Sequence, residues 1–148
     1  MRKITVIHLL MIALVILALA SIAADGGRKF TTTLTGAAEV PGPGDPDGSG
    51  TATVTLNPGQ GEVCWEIQVS DITLPAIAAH IHEAPVGVAG PVVVPLFPPV
   101  PDASGFSSGC MSADRELIQD IIQHPEEYYV NVHTTDFPAG ALRGQLSK

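Results

Sequence analysis

From Phe30 onward the apolar residues recur mostly with period two, in short runs bounded by Gly, Pro, Asn and Asp. A period of two places alternate side chains on opposite faces, which limits these runs to β-strands rather than helices. The runs predict strands at 29–37, 50–56, 62–70, 76–82, 91–96, 127–134 and 141–146. That many short strands in one small domain can bury their apolar faces only as a sandwich or a barrel. Between the first two strands, the segment 41–48 is too rich in Pro and Gly for regular structure and reads as a solvated surface turn. Its aspartates fit no calcium loop.

One stretch breaks the alternation. Leu117, Ile118, Ile121 and Ile122 recur at helical spacing behind a capping candidate at Ser112 or Asp114, so one short helix is predicted within 112–124, closed by Pro125. Its apolar face is expected to cover one end of the β core. His124, in the last turn, is explained by favourable contact with the negative end of the helix dipole.

The N-terminus has a different character. Residues 1–24 begin with Arg2 and Lys3, continue through an almost unbroken apolar run from Val6 to Ala20, and end in small residues. This is the three-part pattern of a secretory signal, with cleavage expected at 20–24 behind Ala18-Leu19-Ala20 or Ser21-Ile22-Ala23. An uncleaved membrane anchor is the alternative, since an apolar run approaching ~20 residues can span a bilayer. Both place the domain at 28–148 outside the cytoplasm, either secreted, periplasmic or at the cell surface. Removal of Arg2 and Lys3 leaves five basic against fifteen acidic residues, a net charge of −10. Such a chain is repelled by phosphate backbones and anionic lipid, which excludes nucleic acid as a partner and leaves membrane contact only to an uncleaved anchor.

Cys64 and Cys110 are the only cysteines. An even number in an exported chain suits a disulfide, which would close a loop of ~45 residues and restrict the unfolded chain by about 4 kcal/mol. Two buried thiols are the other reading. No Gly-x-Ser-x-Gly elbow, phosphate-cradling loop or carboxylate pair at a catalytic spacing is present, so the chain is not expected to be an enzyme unless by redox chemistry at a bound copper.

Three histidines are the informative residues. In the run 76–82, alternation puts Ile77, Ala79 and Ile81 toward the core and His80 and His82 on the other face; in 129–133, Val130 and Val132 point inward while Tyr129, Asn131 and His133 point outward. If the two strands are neighbours, the three imidazoles converge. Three imidazoles with an open fourth position suit copper or zinc, and nothing here suits calcium or magnesium. Asn131 and Tyr129 share the face of His133 and are candidates to support the ligands, and Glu83 is a further ligand candidate although alternation directs it the other way. Histidines hydrogen-bonded to crossing loops, with no metal, are the competing explanation.

Several motifs together resemble the CHRD domain: Phe30-x-x-x-Leu34-x-Gly36-Ala37-x-Glu39-Val40-Pro41, Gly50-x-Ala52, Ala79-His80-Ile81-His82-x-x-x-x-Gly87, and the long Tyr129-Val130-Asn131-Val132-His133-Thr134-x-x-Phe137-Pro138-x-Gly140-x-x-Arg143-Gly144-Gln145-Leu146. The resemblance implies export, a β-sandwich and the Cys64–Cys110 disulfide, and implies no reaction. A weaker, fold-level similarity is to copper/zinc superoxide dismutase, whose His-x-His supplies two copper ligands; His80-Ile81-His82 matches that element, and Arg143 would then attract an anion to the metal. The zinc-binding loop of that enzyme has no counterpart, because 83–112 contains no histidine. The expected architecture is therefore all-β, a Greek-key sandwich of the immunoglobulin-like or superoxide-dismutase-like kind with one short helical insertion. The expected function is an exported binding module that holds copper or zinc through His80, His82 and His133. The alternative is an extracellular protein- or matrix-interaction domain with structural histidines, whose contact surface includes the Pro-rich segment 85–101 and Phe97.

Overall fold

Eight antiparallel strands build the domain, one more than the alternation predicts. The computed structural model describes residues 26–148, so the expected signal segment lies outside the described residues. The strands are β1 (Arg28–Thr35), β2 (Ser49–Asn57), β3 (Glu62–Ser70), β4 (Ala78–Glu83), β5 (Val92–Pro95), β6 (Phe106–Ser112), β7 (Tyr128–His133) and β8 (Leu142–Gln145), with one helix, α1 (Arg115–Gln123), between β6 and β7. No helix among the described residues is long and apolar enough to cross a membrane.

The sheet order is β5-β4-β7-β8-β1-β2-β3-β6. β1, β2 and β3 pair along their full lengths, whereas β1 meets β8 through the single pair Thr35–Arg143. The sheet curls at this narrow seam, and inward residues of both halves share one core, with Leu34, Val54 and Ile67 from one half and Ile81, Val130 and Leu142 from the other. This is the expected all-β, sandwich-like fold. The pairings β4–β7, β3–β6 and β1–β8 join strands far apart in sequence, as a Greek-key arrangement requires and a simple meander does not.

β6 escapes sequence analysis because only one of its three inward positions, Met111, is apolar. Ser107 and Gly109 face Trp65 of β3, whose indole fills the space that their side chains leave. The Trp65 indole N–H donates to Ser107 Oγ at 3.0 Å, which satisfies the one polar atom of a buried ring. Outward from the same two strands, Cys64 and Cys110 stand directly opposite each other and are joined as a disulfide, with Sγ atoms 2.07 Å apart.

α1 begins where the nearer of the two candidate caps stands. The Asp114 carboxylate accepts from the backbone N–H groups of Glu116 (2.9 Å) and Leu117 (3.0 Å), while Ile118 and Ile121 are buried in the core. A single 3-10 turn, Pro125–Glu127, leads into β7, and His124 is exposed at the helix C-terminus.

Three local expectations are corrected. Ile77, expected in the core, is 49% exposed, because it precedes the first residue of β4 and strand alternation does not yet apply to it. β1 ends at Thr35 and is followed by a 3-10 turn, Gly36–Ala38. The segment 41–48 is more than a solvated turn: Gly44 and Gly48 are buried, and Asp45 N–H donates to Ala141 O at 2.9 Å, which draws the loop over the end of β8.

A Cβ added to Gly109 would stand 2.7 Å from the Trp65 ring. Gly109→Ala is therefore expected to destabilise the domain by about 1–3 kcal/mol through overpacking. Urea unfolding followed by the fluorescence of Trp65, the only tryptophan, measures this directly.

Candidate metal centre

The β4–β7 ladder decides how the histidines meet. Its register pairs Ala78 with His133, His80 with Asn131 and His82 with Tyr129, so all of these side chains stand on one face of the sheet, opposite the core. His80 and His133 are diagonal neighbours across the two strands, and His82 lies one step along. One ring nitrogen from each histidine lies within 4.8 Å of the other two. His80 Nδ1 and His133 Nε2 are 3.0 Å apart. Two nitrogens bound to one ion at 2.0 Å with tetrahedral angles are separated by about 3.3 Å, so this spacing fits shared coordination.

Hydrogen bonds at the back of the rings fix which nitrogens face one another. His82 Nδ1 lies 2.9 Å from Gly90 O, and His133 Nδ1 lies 3.1 Å from Pro138 O. A carbonyl only accepts, so both Nδ1 atoms carry the proton and both Nε2 atoms carry a lone pair. His133 Nε2 accepts from His80 Nδ1. His82 Nε2 is buried with no partner at all.

The outward face is not an open surface. Tyr129 and Asn131 are 3% and 2% exposed, because the loop between β4 and β5 and the segment after β1 cover them. Arg143 on β8 organises this cover. Its guanidinium donates to Val88 O (2.7 Å), Pro85 O (3.0 Å) and Gln145 Oε1 (3.1 Å), and lies 3.5 Å from the centre of the Tyr129 ring. On the β4 side, the His82 ring stacks on Tyr129 at 4.8 Å with planes 11° apart. Tyr129 is thus held between a cation and an imidazole, and its hydroxyl accepts from Gly90 N–H at 3.2 Å. Through these bonds to the loop carbonyls Arg143 acts as a clamp on the cover.

Glu83 does not join the histidines; it is exposed at the end of β4, opposite Tyr128. Two further side chains border the histidines: Phe97, which sequence reasoning gave to a contact surface, and Glu39, which it gave no role. Phe97 packs edge-on against His80 with ring centres 5.6 Å apart, at the rim. Glu39, buried behind β7, accepts a hydrogen bond from Asn131 Nδ2. The only signal for Glu39 was its place in the Gly36-Ala37-x-Glu39-Val40-Pro41 motif.

Burial depresses all three histidines below the usual imidazole range. For His80, desolvation first and then repulsion from His133 and His82 bring the pKa down to about 4. Gly90 O opposes the shift of His82, and Pro138 O that of His133. The rings are therefore neutral at physiological pH, the form in which imidazole binds metal. Glu39 moves the other way: desolvation raises it to about 7 against the pull of Arg143.

These shifts set how stability depends on pH. Below about 6.5 the unfolded chain takes up protons that the folded histidines refuse, so stability is full above that pH and falls on acidification toward 4. Glu39 opposes this between 4.5 and about 7, where the folded state holds its proton more tightly than the unfolded state does. Glu39→Gln removes the opposing contribution and is expected to steepen the loss of stability between pH 6.5 and 5. Thermal unfolding of the metal-free domain across this range checks it.

The family model of the CHRD domain matches residues 30–146, which takes in every strand described above except the first two residues of β1. No curated protein and no solved structure matches closely enough to count as a relative. With four-fifths of its length covered by that one match, the chain belongs to the CHRD domain family.

Proposed function

We propose that this CHRD domain is an extracytoplasmic binding module that holds one copper or zinc ion through His80, His82 and His133. The observation that carries the reading is the enclosed lone pair of His82 Nε2, without any protein donor, beside the 3.0 Å contact of His80 and His133. Leaving such an acceptor unpaired costs about 1–3 kcal/mol, and a cation at this point removes the cost. Three neutral nitrogens without a carboxylate favour copper or zinc over calcium and magnesium. The backbone carbonyls behind His82 and His133 orient the rings as acceptors behind a ligated imidazole do.

Export fits the rest of the molecule. A disulfide persists in an oxidising compartment, and the N-terminal sequence carries the pattern of a secretory signal. The module is read as secreted, periplasmic or held at the cell surface, where storage, delivery or structural bracing by the metal are the roles open to it.

A second reading has its own observation. Val86, Val88, Val92 and Phe97 are between 39% and 76% exposed, while Val94 and Leu96 from the same segment are buried in the core. β5 is thus an edge strand packed on the sandwich, and the residues on either side of it offer apolar contact to an extracellular protein.

Metal content by mass spectrometry, on untagged protein from its native compartment, separates the two. Near one copper or zinc per chain, and none in the His80→Ala, His82→Ala, His133→Ala variant, is the expected result. Added metal should also raise the thermal midpoint of the native protein and not of the variant; at one hundred times Kd the stabilisation is about 2.7 kcal/mol. A native protein that neither carries nor takes up either metal sinks the proposal. A partner lost with Phe97→Ser but retained by the triple variant would then favour the interaction reading.

A further inference from the structure

Glu39 is the buried group that the three histidines leave unexplained. It is 5% exposed, and the backbone is shaped to admit it: a Cβ on Gly140 would stand 2.4 Å from Glu39 Oε2 and 2.6 Å from Asn131 Nδ2, and one on Gly44 would stand 2.6 Å from Glu39 Cγ. Gly140 also has a φ of 148°, a conformation that other residues rarely adopt. Two glycines and a buried carboxyl are thus arranged around one hydrogen bond, from the Asn131 amide to Glu39 Oε1.

Asn131 occupies the middle of the histidine patch. It pairs with His80 on β4 and with Arg143 on β8, and is two residues from His133 on the same face of β7. The hydrogen bond runs from Asn131 Nδ2 to Glu39 Oε1, which turns Oδ1 away from the carboxyl group. Oδ1 is then enclosed with no hydrogen-bond partner. Arg143 does not supply one, because its donors go to Val88, Pro85 and Gln145. Among the described residues, Asn131 Oδ1 and His82 Nε2 are the two buried side-chain polar atoms without a partner, and both belong to this patch. One lone pair suits an ion. The other, on a neutral amide oxygen of the same sheet face, suits a donor that comes with the ion.

We infer that Asn131 Oδ1 accepts a hydrogen bond from the water at the open fourth position of the ion, and that Glu39 is the positioning residue that fixes the amide. The inference rests on the proposed three-histidine centre. It makes that centre one that holds a water in a defined orientation, and a small anion would enter by displacing this water.

Cobalt(II)-loaded protein tests it, because the visible spectrum reports both uptake of the ion and ionisation of its bound water. The native domain should show one spectral inflection between about pH 5 and 10. Asn131→Asp should raise that inflection by about one unit or more, since a carboxylate beside the water disfavours hydroxide. Asn131→Ala and Glu39→Ala should both displace it and weaken cobalt binding by about 10–100-fold. Glu39→Gln keeps an oxygen that accepts from Nδ2 and should retain the native inflection, an outcome that a loss of packing would not give. Unchanged inflections in cobalt-loaded Asn131→Asp and Asn131→Ala would overturn the role of Asn131 and leave the metal centre standing, as would a native complex without any inflection. Failure of the native domain to take up cobalt, copper or zinc would remove the centre and this inference together.

Discussion

A buried guanidinium holds together the face on which the candidate centre lies. Arg143 sits at the seam where the sheet curls, paired with Thr35 of β1 on one side and Asn131 of β7 on the other. At 2% exposure its burial is offset by three hydrogen bonds from its N–H groups and by the Tyr129 ring on which its plane rests. Those donors go to carbonyls of the loop between β4 and β5, so the residue that stiffens Tyr129 also fastens the cover over it. Gln145, two residues on, continues the clamp: its amide nitrogen lies 2.9 Å from Ala84 O and 2.8 Å from Glu126 O. Without this lattice of carbonyls, the loop carrying Gly90 would have no fixed position, and the His82 ring would lose the acceptor that sets its tautomer.

The chemistry of the centre follows from enclosure. Histidines on an open strand would be hydrated, would titrate near their ordinary value and would need no partner. Here the covering loops remove water, which keeps the rings neutral and leaves lone pairs that the protein does not fill. The same enclosure raises Glu39, an effect that Arg143 and the hydrogen bond from Asn131 only partly offset. Structural histidines tied to crossing loops account for Nδ1 of His82 and of His133, but not for the bare Nε2 of His82.

Much of the fold was legible because the core strands obey their period. Val130 and Val132 alternate with Tyr129, Asn131 and His133, and Ala79 and Ile81 alternate with His80 and His82. β6 was not legible, because an edge strand whose inward positions are Ser107, Gly109 and Met111 offers one apolar residue and no alternation to read; its pattern makes sense only with the Trp65 ring lying across it. Ile77 misled for the opposite reason, as an apolar residue in phase with the strand but outside its ladder. At the centre, spacing found His80, His82 and His133 but could not find Glu39, which lies 92 residues from Asn131 and reaches it only through the fold.

The sequence by itself determined the β class, the helix between the sixth and seventh strands and its apolar face, the family, and the face of its strand on which His80, His82 and His133 each stand. All of these follow from period, local capping and motif, which are properties of neighbours along the chain. Tertiary structure decided that β4 lies beside β7 and in which register, that Cys64 faces Cys110, that Arg143 clamps a loop, and that Asn131 ends with one unsatisfied oxygen. Those depend on which distant strands pair and on what covers them. A shift of one residue in the β4–β7 ladder would have sent its side chains to the other face and left the same sequence motif with no site.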